Sequence, residues 1–557
     1  MIDMGAKLSL LVPEMLLLIG AVLTSVLGLS RSARIRDAVP GLAAGVLAAS
    51  AIAVFLVSTP ERVDAAGLLV PWLGKFVKVM LAVVGVALVA TGAGAVDRRL
   101  EEAVARGHAA FDPIRVVRGE YHAFLLLSVA GAMLLCNASD LIWLFLAVEL
   151  SSLPTYIMVA VGRGGRKAQE AAVKYFFLGA MAAAMMLYGF ALLYGSTGTV
   201  KLPAMRDAFA AQIAATGSLE PMALAGMALA VLGAAFKITA VPMHFYAPDV
   251  YEGASTPVTA FLSFVPKTAG FVLLIVLLST VGWQAPSNLA GAPPGLPGPL
   301  TAILWMVAVM TMTLGNVGAL LQRSVKRTLA YSSIANSGYM LVGLIAGPRM
   351  GGLGAVLFFL LCYGIMNTAV FAVLAAIERH GEEVDRFEDL SGLRARHPVL
   401  SWVMAAGAIS LMGFPPILGF WGKFNLFVAG FNAGQVALVV IAALNSVVAA
   451  FYYLRFVQLP LVGVVDSRAE AIRRVPSRWP AVAAVACGLA VLVMWLAANP
   501  LVDAAALATG DRSSEVVQPV KARRQERTSP VALLPAGPQA SPSITADPGY
   551  HPRLGRP

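Results

Sequence analysis

Four ionisable side chains stand inside long apolar stretches of this sequence: Glu149, Lys237, Lys267 and Lys423. A charge at the centre of a bilayer costs at least about 2.5–3.5 kcal/mol, so such groups are rare and tend to mark ion or proton pathways. One carboxylate and three amines suit proton transfer, because each can hold a proton and give it up. At 1.5 Å per residue, Glu149 lies roughly 14 Å and Lys267 roughly 16 Å into its apolar stretch, near the midplane. Each group also has a plainer reading. A Glu149–Lys237 pair could be a clamp, since buried ion pairs seldom add net stability but can specify an arrangement. Lys423 could snorkel to the outer surface. Lys174 and His244 are secondary candidates: snorkelling suits Lys174 equally well, and His244 reads equally as a relay member or a structural histidine. Glu14, which follows Pro13, reads as a local hydrogen-bonding group.

The elements that must position these groups follow from composition. Of the 557 residues, 59% are hydrophobic and 13% charged, about half the charged share of a soluble globular chain. On a ruler of about 20 apolar residues per crossing, fourteen candidate spans appear. They cover roughly 8–29, 38–58, 76–96, 120–137, 140–161, 171–195, 222–247, 256–281, 299–321, 328–346, 350–377, 398–429, 434–459 and 479–498. The runs are continuous rather than alternating, which excludes spanning strands. The fold class is therefore an all-α polytopic membrane protein. The first run exceeds 20 residues and lacks a basic leader and a small-residue cleavage site, so it reads as a span rather than a signal peptide.

The net charge of +11 is concentrated in short loops, which is how membrane topology is encoded and not how nucleic acid is bound. Bases follow spans 1, 3, 5, 9, 11 and 13, among them Arg31, Arg98, Arg99, Arg115, Arg163, Lys326, Arg327 and Arg468. The even-numbered loops hold few. Odd loops are thus expected to be cytoplasmic and both termini outside. The loop after span 7 is the exception, with Asp249 and Glu252 but no base. Cys136, Cys362 and Cys487 are isolated, without ligand spacing. No metal, flavin or nucleotide motif appears, and Gly162–Gly165 lacks the context of a phosphate loop. Residues 283–298 read as an outer loop. Residues 500–557, rich in Pro, Ser, Arg and Ala without periodicity, read as a disordered tail.

Two spans carry internal breaks. Span 7 contains Lys237-Ile-Thr-Ala-Val-Pro242, and span 12 contains Gly413-Phe-Pro415-Pro416. Internal proline removes a backbone hydrogen bond, and freed carbonyls at membrane depth survive only where protein or water satisfies them. Two breaks five spans apart, each with a lysine nearby, suggest a duplicated transporter core. The order of Lys and Pro differs between them, so the duplication is approximate.

These stretches resemble a known family. Asp140-Leu-Ile-Trp-Leu-Phe-Leu-Ala-Val-Glu149-Leu-Ser-Ser-Leu-Pro154 and Phe236-Lys237-Ile-Thr-Ala-Val-Pro242-Met-His244-Phe-Tyr-Ala-Pro248-Asp249 are similar to spans 5 and 7 of the antiporter-like subunits of respiratory complex I. The continuation to Lys267, and Lys326-Arg-Thr-Leu-Ala-Tyr331-Ser-Ser-Ile-Ala-Asn336-Ser-Gly-Tyr339, are similar to the subunit N members in particular. The likeness runs from about residue 8 to 498.

The resemblance implies fourteen helices in which 4–8 (residues 120–281, after an N-terminal part over 1–119) and 9–13 (residues 299–459) form two inverted five-helix repeats. Helix 14 (479–498) and the tail (500–557) follow. It implies a hydrophilic axis through the membrane middle, with proton transfer by Glu149, Lys237, Lys267 and Lys423. It also implies a subunit of NADH-quinone oxidoreductase in a bacterial inner membrane, beside other membrane-arm subunits. The chain itself would bind no cofactor; NADH, flavin, iron–sulfur clusters and quinone would belong to partner subunits. The family usually has histidine where this chain has Asn336, which cannot titrate. Two other functions remain open at this point: a subunit of a multisubunit cation/proton antiporter, and a structural subunit that conducts nothing.

Overall fold

A computed structural model describes residues 4–93, 106–108, 118–161, 166–286, 293–379, 382–463 and 472–511. The expected loop bases Arg98, Arg99, Arg115, Arg163 and Arg468, the glycines 162–165 and residues 512–557 of the expected tail lie outside the described residues.

The spans fold as helices because their apolar runs leave the backbone no other partner in lipid. In chain order they are α1 (Val12–Gly28), α2 (Ala33–Val57), α3 (Leu73–Gly92), α4 (Arg118–Leu134), α5 (Leu141–Val161) and α6 (Arg166–Thr197). Next come α7 (Pro221–Lys237), α8 (Thr256–Val281), α9 (Gly298–Leu320), α10 (Val325–Ala346) and α11 (Gly352–Ala376). The series ends with α12 (Pro398–Met412), α13 (Leu418–Asn432), α14 (Val436–Val462), α15 (Trp479–Val493) and α16 (Ala498–Thr509). Among the described residues, 11 helices are long and apolar enough to cross a membrane. Against the fourteen expected, spans 1, 7 and 12 are each represented by a shorter apolar helix.

Those shorter helices end at breaks. Helix α7 stops at Lys237 instead of running on to residue 247, because Thr239 adopts a left-handed φ of 56° and Pro242 has no N–H to continue the ladder. Helix resumes only in the short segment Ala247–Gly253. Gly413, at φ 89°, ends α12, and the proline pair 415–416 separates it from α13, so span 12 is two helices.

Helices α8 and α11 are apolar on nearly every face, α10 carries several small polar residues, and all three sit enclosed by their neighbours. By contrast α2, α6 and α14 turn large apolar side chains outward, such as Phe55, Phe177 and Phe451, as lipid-facing helices do. Close approach inside relies on small residues: an added Cβ at Gly315 would lie 2.5 Å from Ala335 N, across the α9–α10 contact.

Two features depart from the sequence reading. A small antiparallel sheet in the order β2-β1-β3 joins β1 (Ile377–Arg379), β2 (Glu382–Glu383) and β3 (Ile472–Arg474). The start of the expected tail is helical: α16 reaches Thr509, and Asp511 beyond it is buried. Its apolar residues dock Ala505 and Ala508 inward, burial that the composition of the whole tail conceals. The three cysteines are buried and unpaired.

Candidate functional site

Glu149, Ser152 and Tyr156 recur on α5 at intervals of three and four residues, which places them on one helix face. Lys237, the last residue of α7, is buried against that face. Its Nζ donates to Ser152 Oγ and, at 3.4 Å, to Tyr156 OH. It also stands over the rings of Tyr156 and Phe236, at 5.6 and 5.3 Å. No hydrogen bond joins Glu149 to Lys237 among the described residues; Glu149 Oε1 is buried without a partner. The closed Glu149–Lys237 clamp considered above is therefore not the arrangement seen. The lysine rests on uncharged hydroxyls, and the carboxylate sits one turn away along α5.

The break after Lys237 exposes backbone groups that the protein satisfies one by one. Tyr246 OH donates to Phe236 O at 2.7 Å, and Val241 N–H donates to Thr311 Oγ1 at 3.0 Å. The carbonyl of Ile238 accepts from Ser337 Oγ of α10. That same hydroxyl accepts from Lys267 Nζ at 2.7 Å, and Lys267 also donates to Ser333 O at 2.5 Å. A single serine thus connects the residue after Lys237 with Lys267, which is almost wholly buried and faces the Tyr363 ring at 5.1 Å.

Farther along, α10 meets α14. Ser332 Oγ and Tyr453 OH lie 2.5 Å apart, and Asn336 Nδ2 donates to Tyr453 OH at 3.3 Å. Tyr452 OH donates to Asn316 Oδ1, and Asn316 Nδ2 donates to Tyr339 OH, each at 3.0 Å. The far side of Tyr339 faces Lys423, whose Nζ is 5.0 Å from the ring centroid. Lys423 is buried rather than snorkelling. Its ammonium folds back on the broken end of α12, donating to Leu411 O at 2.9 Å and Met412 O at 3.0 Å. Although Lys precedes one break and follows the other, both amines therefore stand beside interrupted backbone.

The secondary candidates lie apart from this line. Lys174 is partly exposed and pairs with Asp249 at 2.7 Å and Glu170 at 2.8 Å. Arg327 bridges Asp249 and Glu252, and Lys167 also holds Glu252. Burial pushes both loop carboxyls up. Bonds from Lys174 and Arg327 to Asp249, and from Arg327 and Lys167 to Glu252, outweigh it and hold both below the usual range. The acidic loop after span 7 thus finds its bases on the neighbouring segments. His244 is buried, with Nδ1 unpartnered.

Two further buried lysines stand outside the site candidates read from the sequence. Lys78 forms an ion pair with Glu14 at 2.7 Å, both almost fully buried, and Asn137 donates to Glu14 at 3.0 Å. Glu14 is therefore a long-range partner and not a local one. The signal was available, since Lys78 interrupts the apolar run 76–96. Lys326, counted above as a loop base, is completely buried. Among the described residues no group of three or more His, Cys, Asp or Glu side chains is placed to hold a metal ion.

Known proteins resemble this chain in sequence and in fold. The family model described as NADH:quinone oxidoreductase/Mrp antiporter, TM, matches residues 138–449, from the residues just before α5 well into α14. NADH-quinone oxidoreductase subunit N of Rhodospirillum rubrum is 38% identical over 395 residues, 70% of this chain and 76% of the relative. The chain belongs to the NADH-quinone oxidoreductase subunit N family. Its member from Methylobacterium nodulans is 35% identical over 497 residues, covering 89% of this chain and 96% of that relative. A chain in the structure of respiratory complex I from Thermus thermophilus with bound aureothin is similar at 27% identity and a TM-score of 0.68, covering 89% of this chain and 99% of that one. A chain of the Mrp complex from Dietzia sp., at 22% identity and a TM-score of 0.72, covers 91% of this chain and 97% of that one and shares the fold.

Proposed function

We propose that the chain is a proton-translocating membrane-arm subunit of NADH-quinone oxidoreductase and has no redox centre of its own. The observation that carries this reading is the line of three buried amines, Lys237, Lys267 and Lys423, joined through Ser337, α10 and Tyr339 and set beside two broken helices. Glu149 adjusts the charge beside Lys237. Its approach favours the ammonium there, and its withdrawal favours release toward Lys267. Lys423 delivers a proton to the outer side. Lys174 and His244 play at most supporting parts, because neither touches the line.

Moving one charge against 100 mV needs about 2.3 kcal/mol. That energy comes from NADH–quinone chemistry in partner subunits, which hold the flavin, the iron–sulfur clusters and the quinone site. The loops that follow odd-numbered spans face the cytoplasm of a bacterial cell, and both termini face the periplasm. The likeness in fold to the Mrp complex favours a second reading as a cation/proton antiporter subunit. NADH-driven proton uptake into vesicles, with and without sodium, separates the two. Uptake that persists in sodium-free medium supports the first reading, and uptake that requires sodium supports the second.

A further inference from the structure

Lys326 begins α10 and is completely buried, yet it takes no part in the line of amines described above. Its Nζ lies 2.9 Å from Glu383 Oε2 and donates to Ala254 O at 2.9 Å. Glu383, in β2, is 26% exposed. Through its other oxygen it accepts the Thr256 N–H at 2.9 Å, at the start of α8. One carboxylate therefore touches the aqueous edge, a buried ammonium and the first turn of the helix that carries Lys267.

Thr256 Oγ1, beside that bonded amide, is buried without a partner, although a hydroxyl can both donate and accept. Deeper in the same interface, Tyr251 OH donates to Ser333 Oγ at 3.2 Å, and the Ser333 carbonyl accepts from Lys267. Lys326 and Ser333 are two helical turns apart on α10, about 10 Å. A strap that merely fastened β2 to α8 would explain the ion pair and the bonded amide. It would not explain an unbonded hydroxyl at that place, nor why the ammonium lies wholly out of water, where pairing seldom repays desolvation.

We propose that Glu383 and Lys326 form a proton-loading site, through which protons from the aqueous phase on that face enter the α8–α10 interface toward Lys267. Glu383 takes a proton from hydronium in the aqueous phase. Lys326 releases one inward, where the hydroxyls of Thr256 and Tyr251 each hand on a proton as they accept one, and the neutral amine of Lys267 takes it up. Lys326 then regains a proton from Glu383, so that the pair returns to its starting charge and one positive charge has arrived at Lys267. The site rests on the proton-translocating reading above.

The test is NADH-driven proton uptake by the assembled complex in vesicles. Glu383→Gln keeps the shape and removes the exchangeable carboxyl, and it lowers uptake about fivefold or more. Glu383→Asp, which keeps a carboxyl, regains most of it. Unchanged uptake in Glu383→Gln, or equal loss in the Asp and Gln variants, overturns the proposal. If Glu383→Gln fails to assemble, the paired variant Lys326→Met with Glu383→Gln removes both charges together and carries the same prediction. Lys237→Ala, measured alongside, keeps the two ideas apart. Loss there with normal uptake in Glu383→Gln defeats the loading site alone, whereas normal uptake in Lys237→Ala defeats the reading beneath it.

Discussion

Lys237 holds its ammonium on hydroxyls and aromatic faces, and the one carboxylate of that helix face is not bonded to it. Such an arrangement leaves the charge sensitive to small shifts of α5. Ser152→Ala removes the nearest acceptor, and leaving a buried donor unbonded costs about 1–3 kcal/mol. We expect Ser152→Ala to slow proton uptake with assembly intact, and Tyr156→Phe, which removes only the 3.4 Å contact, to slow it less. The reverse order in vesicle assays would contradict this geometry. The Lys78–Glu14 pair is a different case, closed and fully buried. Lys78→Met should lower the thermal stability of the assembled complex, because breaking a buried pair costs about 3–5 kcal/mol. Lys78→Met with Glu14→Leu should recover most of the loss. The three amines and the one carboxylate of the proposed path were legible in the sequence because each interrupts an apolar run. Their partners were not: Lys78 finds Glu14 across 64 positions, and spacing along one chain says nothing about which helices meet.

At the scale of elements, the apolar runs foretold the long helices closely. Span 8, read as 256–281, is helix over Thr256–Val281. The breaks were located but not shaped. Proline at 242 announced an interruption, while the end of α7 five residues earlier depends on Thr239, on an acceptor from α9 and on a donor from α10. The small sheet escaped notice because its strands are two or three residues long and pair across about 95 positions. The contact between α9 and α10 makes a direct prediction. Gly315→Leu forces a side chain where the Ala335 backbone already stands, and overpacking of this kind costs about 1–3 kcal/mol. A lowered melting temperature of the purified complex would be the sign, and an unchanged one would show that the two helices can separate freely.

At the scale of the molecule, the tail is the clearest departure. Its first residues form α16, and Asp511 Oδ2 accepts the Gly354 N–H at 2.7 Å, satisfying one of the free donors in the first turn of α11. Burial pushes the Asp511 carboxyl up to about 7, against the lowering effect of that bond. Undocked, the group would ionise near its ordinary value, so the docked state binds more protons at intermediate pH. Docking of α16 is thus firmest in acid and weakens by about 1.4 kcal/mol per unit as pH rises toward about 7, then levels off. Once the intrinsic rise of amide exchange with pH is divided out, protection of α16 should fall over that range in wild type and stay level in Asp511→Asn.

The central claim is that the buried amines carry protons and do not merely hold helices together. Its most direct test is proton pumping measured alongside NADH–quinone turnover in vesicles, comparing wild type with Lys237→Ala. Impaired coupled turnover in a fully assembled complex is the expected result. Unchanged pumping per electron with normal assembly would make the line of amines a scaffold and contradict it.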